Sequence, residues 1–365
     1  MLNIVFCCDD NYIKYLSVLI HSIVKNISKE KILNNKIIFH IISDFISKNN
    51  LNKINYFEQE LNKIIPCKIS IHKVKNNEFQ NARAWGFENN KNHLTYLRFY
   101  IDEFINADVC LYLDVDMLVV DDISELFSLD LKDKFGACVL DSIYMPDHTI
   151  QAKNNEENIK LNPNYHFNAG FLLLNLKEWK KANIKKQALE FLKLYDPIFC
   201  DQDILNIIFK DKIYLLPLEW NFVRFSLMQN VTFKCEDENY MIRYTRKQHE
   251  YALSNLKIIH YNTDIKPWKF SHDFKDNNLV QSFHKTWWDY AFNTPIFQEE
   301  LIELNIKLKI EDLTQEIKKL TNNLKTKNLL ILKYKNNSAY KLGKSLIKAH
   351  KAWYKGGYIK FIFSL

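Results

Sequence analysis

Apolar positions in the first part of the chain follow two alternating patterns. Predominantly apolar runs at residues 2–8, 36–43 and 67–74 predict buried β-strands. Residues 12–26 and 47–64, which lie between these runs, place their apolar side chains at helical spacing. Strands that alternate with helices in this way are typical of a parallel sheet covered by helices on both faces.

The alternation continues to residue 261. The pattern predicts a helix over 95–105 and a strand over 109–122. Further strand-like runs lie at residues 135–142, 167–176, 212–217 and 256–261. The polar segment 143–165 is predicted to be a mobile loop. The sequence therefore predicts an α/β fold built around one sheet.

A different periodicity begins after the sheet. Apolar residues alternate steps of four and three over three heptads, at Ile306, Ile310, Leu313, Ile317, Leu320 and Leu324. This spacing predicts a helix whose apolar stripe either packs back on the same chain or self-associates through residues 306–324. The predicted division is a first domain at 1–275, a helical extension at 276–332 and a tail at 333–365.

Positive charge is concentrated at the C-terminus. Residues 317–365 contain twelve lysines and no Asp, Glu or Arg, and the whole chain carries +7, so residues 1–316 carry about −5. A basic segment favours a polyanion, either a nucleic acid or an anionic membrane. Aromatic residues interleave with these lysines at Trp353, Tyr354, Tyr358, Phe361 and Phe363. Because this mixture suits a lipid headgroup interface, we expect the tail to bind an anionic membrane surface and no nucleic acid.

The cysteines and the N-terminal sequence indicate the cellular compartment of the protein. Seven cysteines are scattered without CxxC pairs, which is typical of reduced, buried thiols in a reducing compartment. Asp9 and Asp10 end the first apolar run, so the N-terminus lacks the pattern of a signal peptide. No apolar stretch is long enough to span a bilayer. We therefore expect a cytoplasmic protein.

Two carboxylates interrupt the predicted strand at 109–122. Asp114 and Asp116 lie two positions apart, so on a regular strand both side chains would face the same side of the sheet. Ionised carboxylates are costly to bury without a compensating cation. Their oxygens suit Mg²⁺ or Mn²⁺, which can bridge to a diphosphate. The spacing alone is common, and one aspartate could instead cap a turn while the other is solvated.

Glycine-rich phosphate-binding loops of the usual kinds are absent from the sequence. The six glycines form neither GxGxxG nor GxxxxGK[ST]. If the sheet binds a nucleotide, its phosphates must therefore be neutralised by something other than the backbone amides of such a loop.

Five separated motifs carry a stronger signal than any of them alone. They are VFCCDDNYIKYLSV (5–18), LTYLRFYI (94–101), LYLDVDMLV (111–119), FNAGFLLLNLKEW (167–179) with DQDILN (201–206), and HYNTDIKPW (260–268). In this order they resemble glycosyltransferase family 8, particularly its bacterial lipooligosaccharide and lipopolysaccharide galactosyl- and glucosyltransferases. The resemblance implies a GT-A catalytic domain, a Rossmann-like mixed sheet that binds a nucleotide-sugar, followed here by a C-terminal helical extension. It also implies retaining transfer from a UDP-sugar.

The resemblance implies a role for each matching residue. Asp114 and Asp116 match the pair that holds Mn²⁺, with Mg²⁺ as the alternative, and His260 matches the histidine that completes the protein's ligands. Imidazole with two carboxylates suits manganese better than an all-oxygen set. The implied donor-sugar and nucleotide-binding residues are Asp9, Asn11, Arg98, Asp114, Val115, Asp141, Asn168 and Lys266, and the implied catalytic residues beside the anomeric carbon are Asp201 and Gln202.

Some of these residues have more specific implied roles. Asp9 and Asn11 would meet uracil and ribose, and Arg98 would reach the donor sugar and phosphate region. Lys266 would make a charge-assisted contact with the diphosphate. The turn before it departs from the family pattern, because family members commonly carry a glycine in this turn, which approaches the diphosphate, whereas this chain has Thr263 and Asp264.

Retention of configuration has two routes that the sequence leaves open. Gln202 is a poor nucleophile, which favours attack on the face from which the phosphate departs. Asp201 beside it keeps a covalent carboxylate intermediate available.

The predicted function is metal-dependent transfer of a hexose from UDP-galactose or UDP-glucose to a lipid-linked lipooligosaccharide or lipopolysaccharide acceptor. The predicted location is the cytoplasmic face of the inner membrane, where the protein would be peripheral. One alternative is a cytosolic transferase that acts on a soluble glycan or a protein, and another is a non-catalytic nucleotide-binding membrane adaptor. The basic aromatic tail favours the membrane-associated enzyme. The intact charged motifs argue against the adaptor, because a degenerate site usually loses charged groups that are costly to keep.

Overall fold

The chain forms two compact units, Met1–Leu304 and Asn305–Leu365. A computed structural model describes residues 1–32, 36–83, 93–154, 156–223, 231–236, 238–262, 266–269 and 277–362. The strands are β1 (Leu2–Cys7), β2 (Ile37–Ser43), β3 (Cys67–Lys73), β4 (Val109–Leu113), β5 (Met117–Val119), β6 (Gly136–Leu140), β7 (Thr149–Ala152), β8 (Ile159–Lys160), β9 (Phe167–Asn175), β10 (Tyr195–Asp196), β11 (Ile213–Leu216), β12 (Phe222–Val223) and β13 (Ile258–His260). The α-helices are α1 (Ile13–Asn26), α2 (Lys48–Asn62), α3 (Ile101–Phe104), α4 (Leu176–Ala182), α5 (Ile184–Leu194), α6 (Asp201–Ile208), α7 (Arg246–Ser254), α8 (Asn278–Ala291), α9 (Gln298–Asn336), α10 (Ser338–Lys351) and α11 (Gly357–Ile362).

A seven-stranded sheet forms the centre of the first unit. Its strand order is β11-β6-β9-β4-β1-β2-β3. β9 runs antiparallel to both of its neighbours, whereas the other pairs are parallel. The sheet is therefore mixed, as the family resemblance implied, and not all parallel as the apolar pattern alone predicted. Every residue of β1 and β9 is buried, which explains their continuous apolar sequence.

The strand predicted at 109–122 is two strands separated by a turn. β4 ends in the seven-stranded sheet, and β5 begins in a separate three-stranded sheet of order β12-β13-β5. Asp114 and Asp116 lie in the turn between the two sheets, so the prediction of a single regular strand was wrong. β13 pairs with β5 so that His260 lies opposite Met117, which brings the histidine next to this turn.

Two other segments differ from the prediction. The helix predicted at 95–105 is a 3₁₀ helix at Leu94–Tyr100 that continues as α3. The segment 143–165, predicted to be a mobile loop, contains β7 and β8, which form a three-stranded sheet with β10. These strands are short and largely polar, so they lack the apolar period that marks a buried strand. The other predicted elements of the sheet region agree with the structure to within two residues at each end.

Residues 278–291 belong to the first unit through aromatic packing. Trp287 of α8 is fully buried, and its ring lies 4.8 Å from that of Trp268. The Trp268 ring in turn stacks on Tyr15 of α1 at 4.5 Å. The sequence assigned this segment to the extension at 276–332, whereas its contacts are those of the first unit. The functional division into three parts stays a prediction.

The seven cysteines are free thiols. Six are buried, as predicted, and Cys235 is exposed because it lies in a turn outside the main sheet. Burial raises the pKa of Cys67 and Cys200 to about 12, so these two thiols are protonated at neutral pH.

The second unit is helical and carries many exposed apolar side chains. The six heptad residues are each 53–62% exposed, and self-association through 306–324 stays a prediction. In the predicted tail, α11 folds back against α10, where a Cβ at Gly357 would collide with the Ala349 carbonyl oxygen. Only glycine permits this approach. Among the helices that the structure describes, none has the length and apolarity needed to cross a membrane.

Candidate active site

A cleft of about 590 Å³ opens at one edge of the seven-stranded sheet. β1, β4 and β6 end at this edge, and β9 begins there because it runs in the opposite direction. Ligands of open α/β sheets bind at the carboxyl ends of the strands. Eleven of the predicted site residues line the cleft, namely Asp9, Arg98, Asp114, Val115, Asp116, Asp141, Asn168, Asp201, Gln202, His260 and Lys266. Asn11 instead lines an adjacent cavity that shares Tyr12 and Lys269 with the cleft.

The three predicted metal ligands converge within the cleft. His260 Nε2 lies 3.2 Å from Asp116 Oδ1 and 3.9 Å from Asp114 Oδ2. One ligand atom from each of the three residues lies within 4.8 Å of the other two. The turn between β4 and β5 supplies both aspartates, and the pairing of β13 with β5 supplies the histidine.

Each carboxylate directs one oxygen to a cationic side chain and the other to the histidine. Asp114 Oδ1 accepts a hydrogen bond from Arg98 Nη2 at 2.9 Å, and Asp116 Oδ2 accepts one from Lys266 Nζ. The other oxygen of each aspartate faces His260 Nε2. Burial would raise the pKa of Asp116, but the contact with Lys266 lowers it well below its usual range. The carboxylate of Asp116 is therefore ionised at neutral pH.

Asn221 sets the orientation of the His260 ring. Its Oδ1 lies 3.0 Å from His260 Nδ1, and its Nδ2 donates to Asn168 Oδ1 at 2.9 Å. Because an amide oxygen only accepts, His260 Nδ1 carries the proton and Nε2 presents its lone pair to the two aspartates. Metal-binding histidines are held by outer contacts of this kind. The donor set of one imidazole nitrogen and two carboxylate oxygens therefore fits a divalent cation such as Mn²⁺.

Arg98 bridges two carboxylates at the wall of the cleft. Its guanidinium, with 2% of the side chain exposed, pairs with Asp114 and, through Nη1 at 3.0 Å, with Asp201 Oδ2. Burial disfavours the charge of Arg98, but Asp201, Tyr112 and Asp114 outweigh it and raise its pKa. Burial raises the pKa of Asp201 to about 6 against the opposing effect of Arg98. The guanidinium is thus held by protein groups, although Arg98 also lines the cleft.

Asp141, Asn168 and Gln202 form one hydrogen-bond network. Gln202 Nε2 donates to Asp141 Oδ2 at 3.2 Å, and Gln202 Oε1 accepts from the Ala169 N–H at 3.0 Å. Asn168 Nδ2 donates to Gln202 Oε1 at 3.3 Å and lies 3.4 Å from Asp141 Oδ2. The side-chain amide of Gln202 is therefore held in one orientation, next to two of the residues predicted around the donor sugar.

Three further residues shape the site without having been predicted for it. A Cβ at Gly170 would lie 2.5 Å from His260 Cε1 and 2.8 Å from Asp114 Oδ2, so a side chain there would displace both ligands. Tyr112 donates to Asp114 Oδ1 at 2.7 Å. Gly170 and Tyr112 lie inside motifs that the sequence singled out. Asn221 lies in none, because its contact with His260 arises only when β12 pairs with β13.

Fewer contacts are described for Asp9 and for the segment before Lys266, which belong to the predicted nucleotide site. Asp9 lines the cleft, and its Oδ1 accepts from the Tyr12 N–H at 3.1 Å, which caps the short 3₁₀ helix that follows. Asp264, where the chain departs from the family pattern, lies outside the described residues. Lys266, two residues further along the chain, also contacts the Tyr261 carbonyl oxygen.

Comparison with known proteins identifies the family. A family model described as glycosyl transferase family 8 matches residues 3–272, which is most of the chain. The chain belongs to glycosyltransferase family 8. It is accordingly a glycosyltransferase. A second family model, described as a domain of unknown function (DUF8374), matches residues 330–365, nearly the same span as the predicted tail.

Individual relatives share sequence with more than half of the chain. The chain is 28% identical over 273 residues to a lipopolysaccharide 1,2-glucosyltransferase of Escherichia coli, covering 73% of each protein. It is 32% identical over 229 residues to a protein of Haemophilus influenzae, covering 60% of this chain and 63% of that protein. The chain therefore spans less than two thirds of the length of the latter relative.

Solved structures show the same fold. The galactosyltransferase LgtC, in complex with donor and acceptor sugar analogues, aligns with a TM-score of 0.57 at 25% identity, covering 80% of this chain and 96% of LgtC. The bifunctional glycosyltransferase WbbM aligns with a TM-score of 0.62 at 22% identity, covering 83% of this chain and 51% of WbbM. The predicted GT-A fold is confirmed by these alignments and by the mixed central sheet.

Proposed function

We propose that this family 8 enzyme transfers galactose or glucose from UDP-galactose or UDP-glucose, with retention of configuration, to a lipid-linked oligosaccharide of the lipooligosaccharide or lipopolysaccharide type. The observation that carries the proposal is the convergence of Asp114, Asp116 and His260 in the cleft. The likeness to a lipopolysaccharide 1,2-glucosyltransferase and to LgtC supports the class of donor and acceptor.

The proposed cofactor is Mn²⁺ held by these three residues, with Mg²⁺ as the alternative. When bound, the ion would offset the charge that develops on the departing diphosphate. Lys266 and Arg98 lie beside the same carboxylates and add fixed positive charge to this part of the cleft. Charged groups that are already in place stabilise a leaving anion without reorganisation. They also offer a substitute for the missing glycine-rich loop.

We propose attack on the same face as the departing diphosphate. Asp201 is 3% exposed and paired with Arg98, so contact with an anomeric carbon would require a buried ion pair to open. Gln202 lines the cleft with its amide held by Asp141 and Ala169. A neutral amide is a poor nucleophile, and its fixed position suits hydrogen bonding to the donor sugar. Asp141 and Asn168 would share that role.

The direct test measures UDP release with Mn²⁺ and a panel of UDP-sugars. Wild-type protein should release UDP from UDP-galactose or UDP-glucose only when the metal is present. Asp116→Asn should abolish release, because it removes a charged ligand while keeping the shape of the side chain. Asp122→Asn is the matched control, since Asp122 is half-buried and accepts from the Ser28 N–H at 3.0 Å, outside the cleft. Normal release by Asp116→Asn would contradict the assignment of the metal site.

The exposed side chains of the tail support the membrane part of the proposal. Trp353 and Tyr354 are each 67% exposed and lie between Lys351 and Lys355. Aromatic rings enter the headgroup region while lysines meet lipid phosphate. The tail would thereby hold the cleft near a lipid-linked acceptor.

Vesicle sedimentation tests this part separately. Full-length protein should sediment with vesicles that contain an anionic phospholipid and much less with neutral phosphatidylcholine vesicles. Trp353→Ala combined with Tyr354→Ala should weaken sedimentation while leaving UDP release from the donor unchanged. Removal of residues 330–365 should abolish it. Equal sedimentation of the truncated and full-length proteins would remove the membrane argument and favour a soluble glycan or protein acceptor.

A further inference from the structure

We infer that the first unit binds a second metal ion, best matched by Zn²⁺, at His148, His166 and Asp203. Among the described residues these three form a group of metal-binding side chains whose ligand atoms lie within 4.8 Å of one another. The group shares no residue with Asp114, Asp116 and His260. All three of its residues are buried.

The spacing of the ligand atoms fits a tetrahedral ion. Asp203 Oδ1 lies 2.8 Å from His148 Nε2 and 3.7 Å from His166 Nε2. A zinc ion with bonds of about 2.0–2.1 Å to nitrogen and oxygen places its ligand atoms about 3.3 Å apart. The two observed distances lie on either side of that value, so small side-chain shifts would complete the geometry. Two histidines and one carboxylate are an established zinc donor set in which a water molecule takes the fourth position.

His166 supplies an independent reason to expect a ligand. Its side chain is 2% exposed, and neither ring nitrogen has a hydrogen-bond partner. The 3.7 Å separation from Asp203 is too long for a hydrogen bond. A buried polar group without a partner lowers stability, and native structures seldom tolerate it. A metal ion on Nε2 would supply the missing partner.

Asp203 is prepared for this role by its own surroundings. Its Oδ2 accepts from the Ile198 N–H at 2.8 Å and from the Phe199 N–H at 2.9 Å, which leaves Oδ1 directed at the histidines. Outer hydrogen bonds of this kind orient ligating carboxylates.

The inferred ion would join three segments that border the cleft. His148 directly precedes β7, His166 directly precedes β9, and Asp203 lies in the first turn of α6. The His166 carbonyl oxygen accepts from the Asp141 N–H at 3.0 Å, which connects the group to the network around Gln202. Because all three ligands are buried, the role of the ion would be structural. It would fix the start of α6 against β9 and hold the segment that carries β7.

Metal analysis of tag-free protein tests the inference without any activity assay. Protein made in zinc-supplemented medium and passed through metal-free gel filtration should retain about one zinc per chain by mass spectrometry. His166→Gln and Asp203→Asn should each lose it, whereas Asp116→Asn should retain it and so separate this site from the proposed catalytic one. A strong zinc chelator should lower the unfolding temperature of wild-type protein and leave that of His166→Gln unchanged.

Cobalt substitution keeps the test decisive if the variants fail to fold. Wild-type protein loaded with Co²⁺ should show the visible absorption of a tetrahedral ion with nitrogen and oxygen ligands. Wild-type protein that retains neither zinc nor cobalt after loading would overturn the inference. Zinc content that is unchanged in folded His166→Gln and Asp203→Asn would overturn it as well. These outcomes are independent of whether UDP-sugars are turned over.

Discussion

Replacement of Asn221 by alanine tests whether the orientation of His260 controls the proposed catalytic metal site. In the wild-type chain Asn221 contacts His260 Nδ1 at 3.0 Å and Asn168 Oδ1 at 2.9 Å. Asn221→Ala removes both contacts, so the imidazole can rotate or place its proton on Nε2. Asn221 is not among the residues that line the cleft, and it therefore acts as a positioning residue through His260.

The expected effect has two separable parts. Loss of the partner behind a metal-binding histidine weakens metal affinity about 10–100-fold. That range corresponds to about 1.4–2.7 kcal/mol of binding free energy. Buried polar atoms left without partners also lower the free energy of unfolding, by about 1–3 kcal/mol. The variant should thus require more Mn²⁺ and unfold at a lower temperature.

Asn3 provides a matched control in the seven-stranded sheet, a different sheet from the one that contains His260. Asn3 Oδ1 lies 3.1 Å from His40 Nε2, and both residues are buried in β1 and β2, outside the cleft. Asn3→Ala removes the same type of contact. It should lower stability by a comparable amount and leave the Mn²⁺ dependence unchanged.

The assay is a titration of Mn²⁺ against the rate of UDP release, at a temperature where all three proteins are folded by circular dichroism. The half-saturating Mn²⁺ concentration should rise 10–100-fold for Asn221→Ala relative to wild type. The same half-saturating concentration in Asn221→Ala and wild type, together with a loss of stability equal to that of Asn3→Ala, would refute the reasoning. Asn221 would then be a structural residue only.

Three further substitutions probe the same site. Gly170→Ala should raise the half-saturating Mn²⁺ concentration and lower turnover without unfolding the protein, because its Cβ would lie 2.5 Å from His260 Cε1. An unchanged Mn²⁺ titration would contradict this. Asp201→Asn should flatten the pH dependence of stability, measured by urea unfolding. Burial raises the pKa of Asp201 to about 6. Protonated Asp201 therefore contributes about 3 kcal/mol to wild-type stability below roughly pH 4, and this contribution is lost as the pH rises through 6. Parallel curves for the two proteins would contradict this assignment. Tyr112→Phe removes the 2.7 Å hydrogen bond to Asp114 and should cost about 1.5–3 kcal/mol of stability, as a bond to a charged group does; an unchanged unfolding curve would argue against that bond.

The sequence alone was sufficient for the position of most buried elements and for eleven of the residues that line the cleft. β1 and β9 are buried along their whole length, so their apolar residues form continuous runs that can be recognised locally. The motif residues follow the ends of such strands. Because strands that run the same way end at the same edge of a sheet, Asp9, Asp114 and Asp141 come together although they are far apart in the chain.

Tertiary structure alone decided the direction of β9, the break of the chain at Asp114–Asp116 and the short strands β7 and β8. It also brought Asn221 to His260 and His148 to Asp203. A local apolar pattern indicates how deeply a segment is buried, but it does not indicate which other segment packs against it. Those partners are determined only when the strands pair and the sheets pack. Contacts of single polar residues outside the motifs, such as Asn221 with His260, could therefore be recognised only in the folded structure.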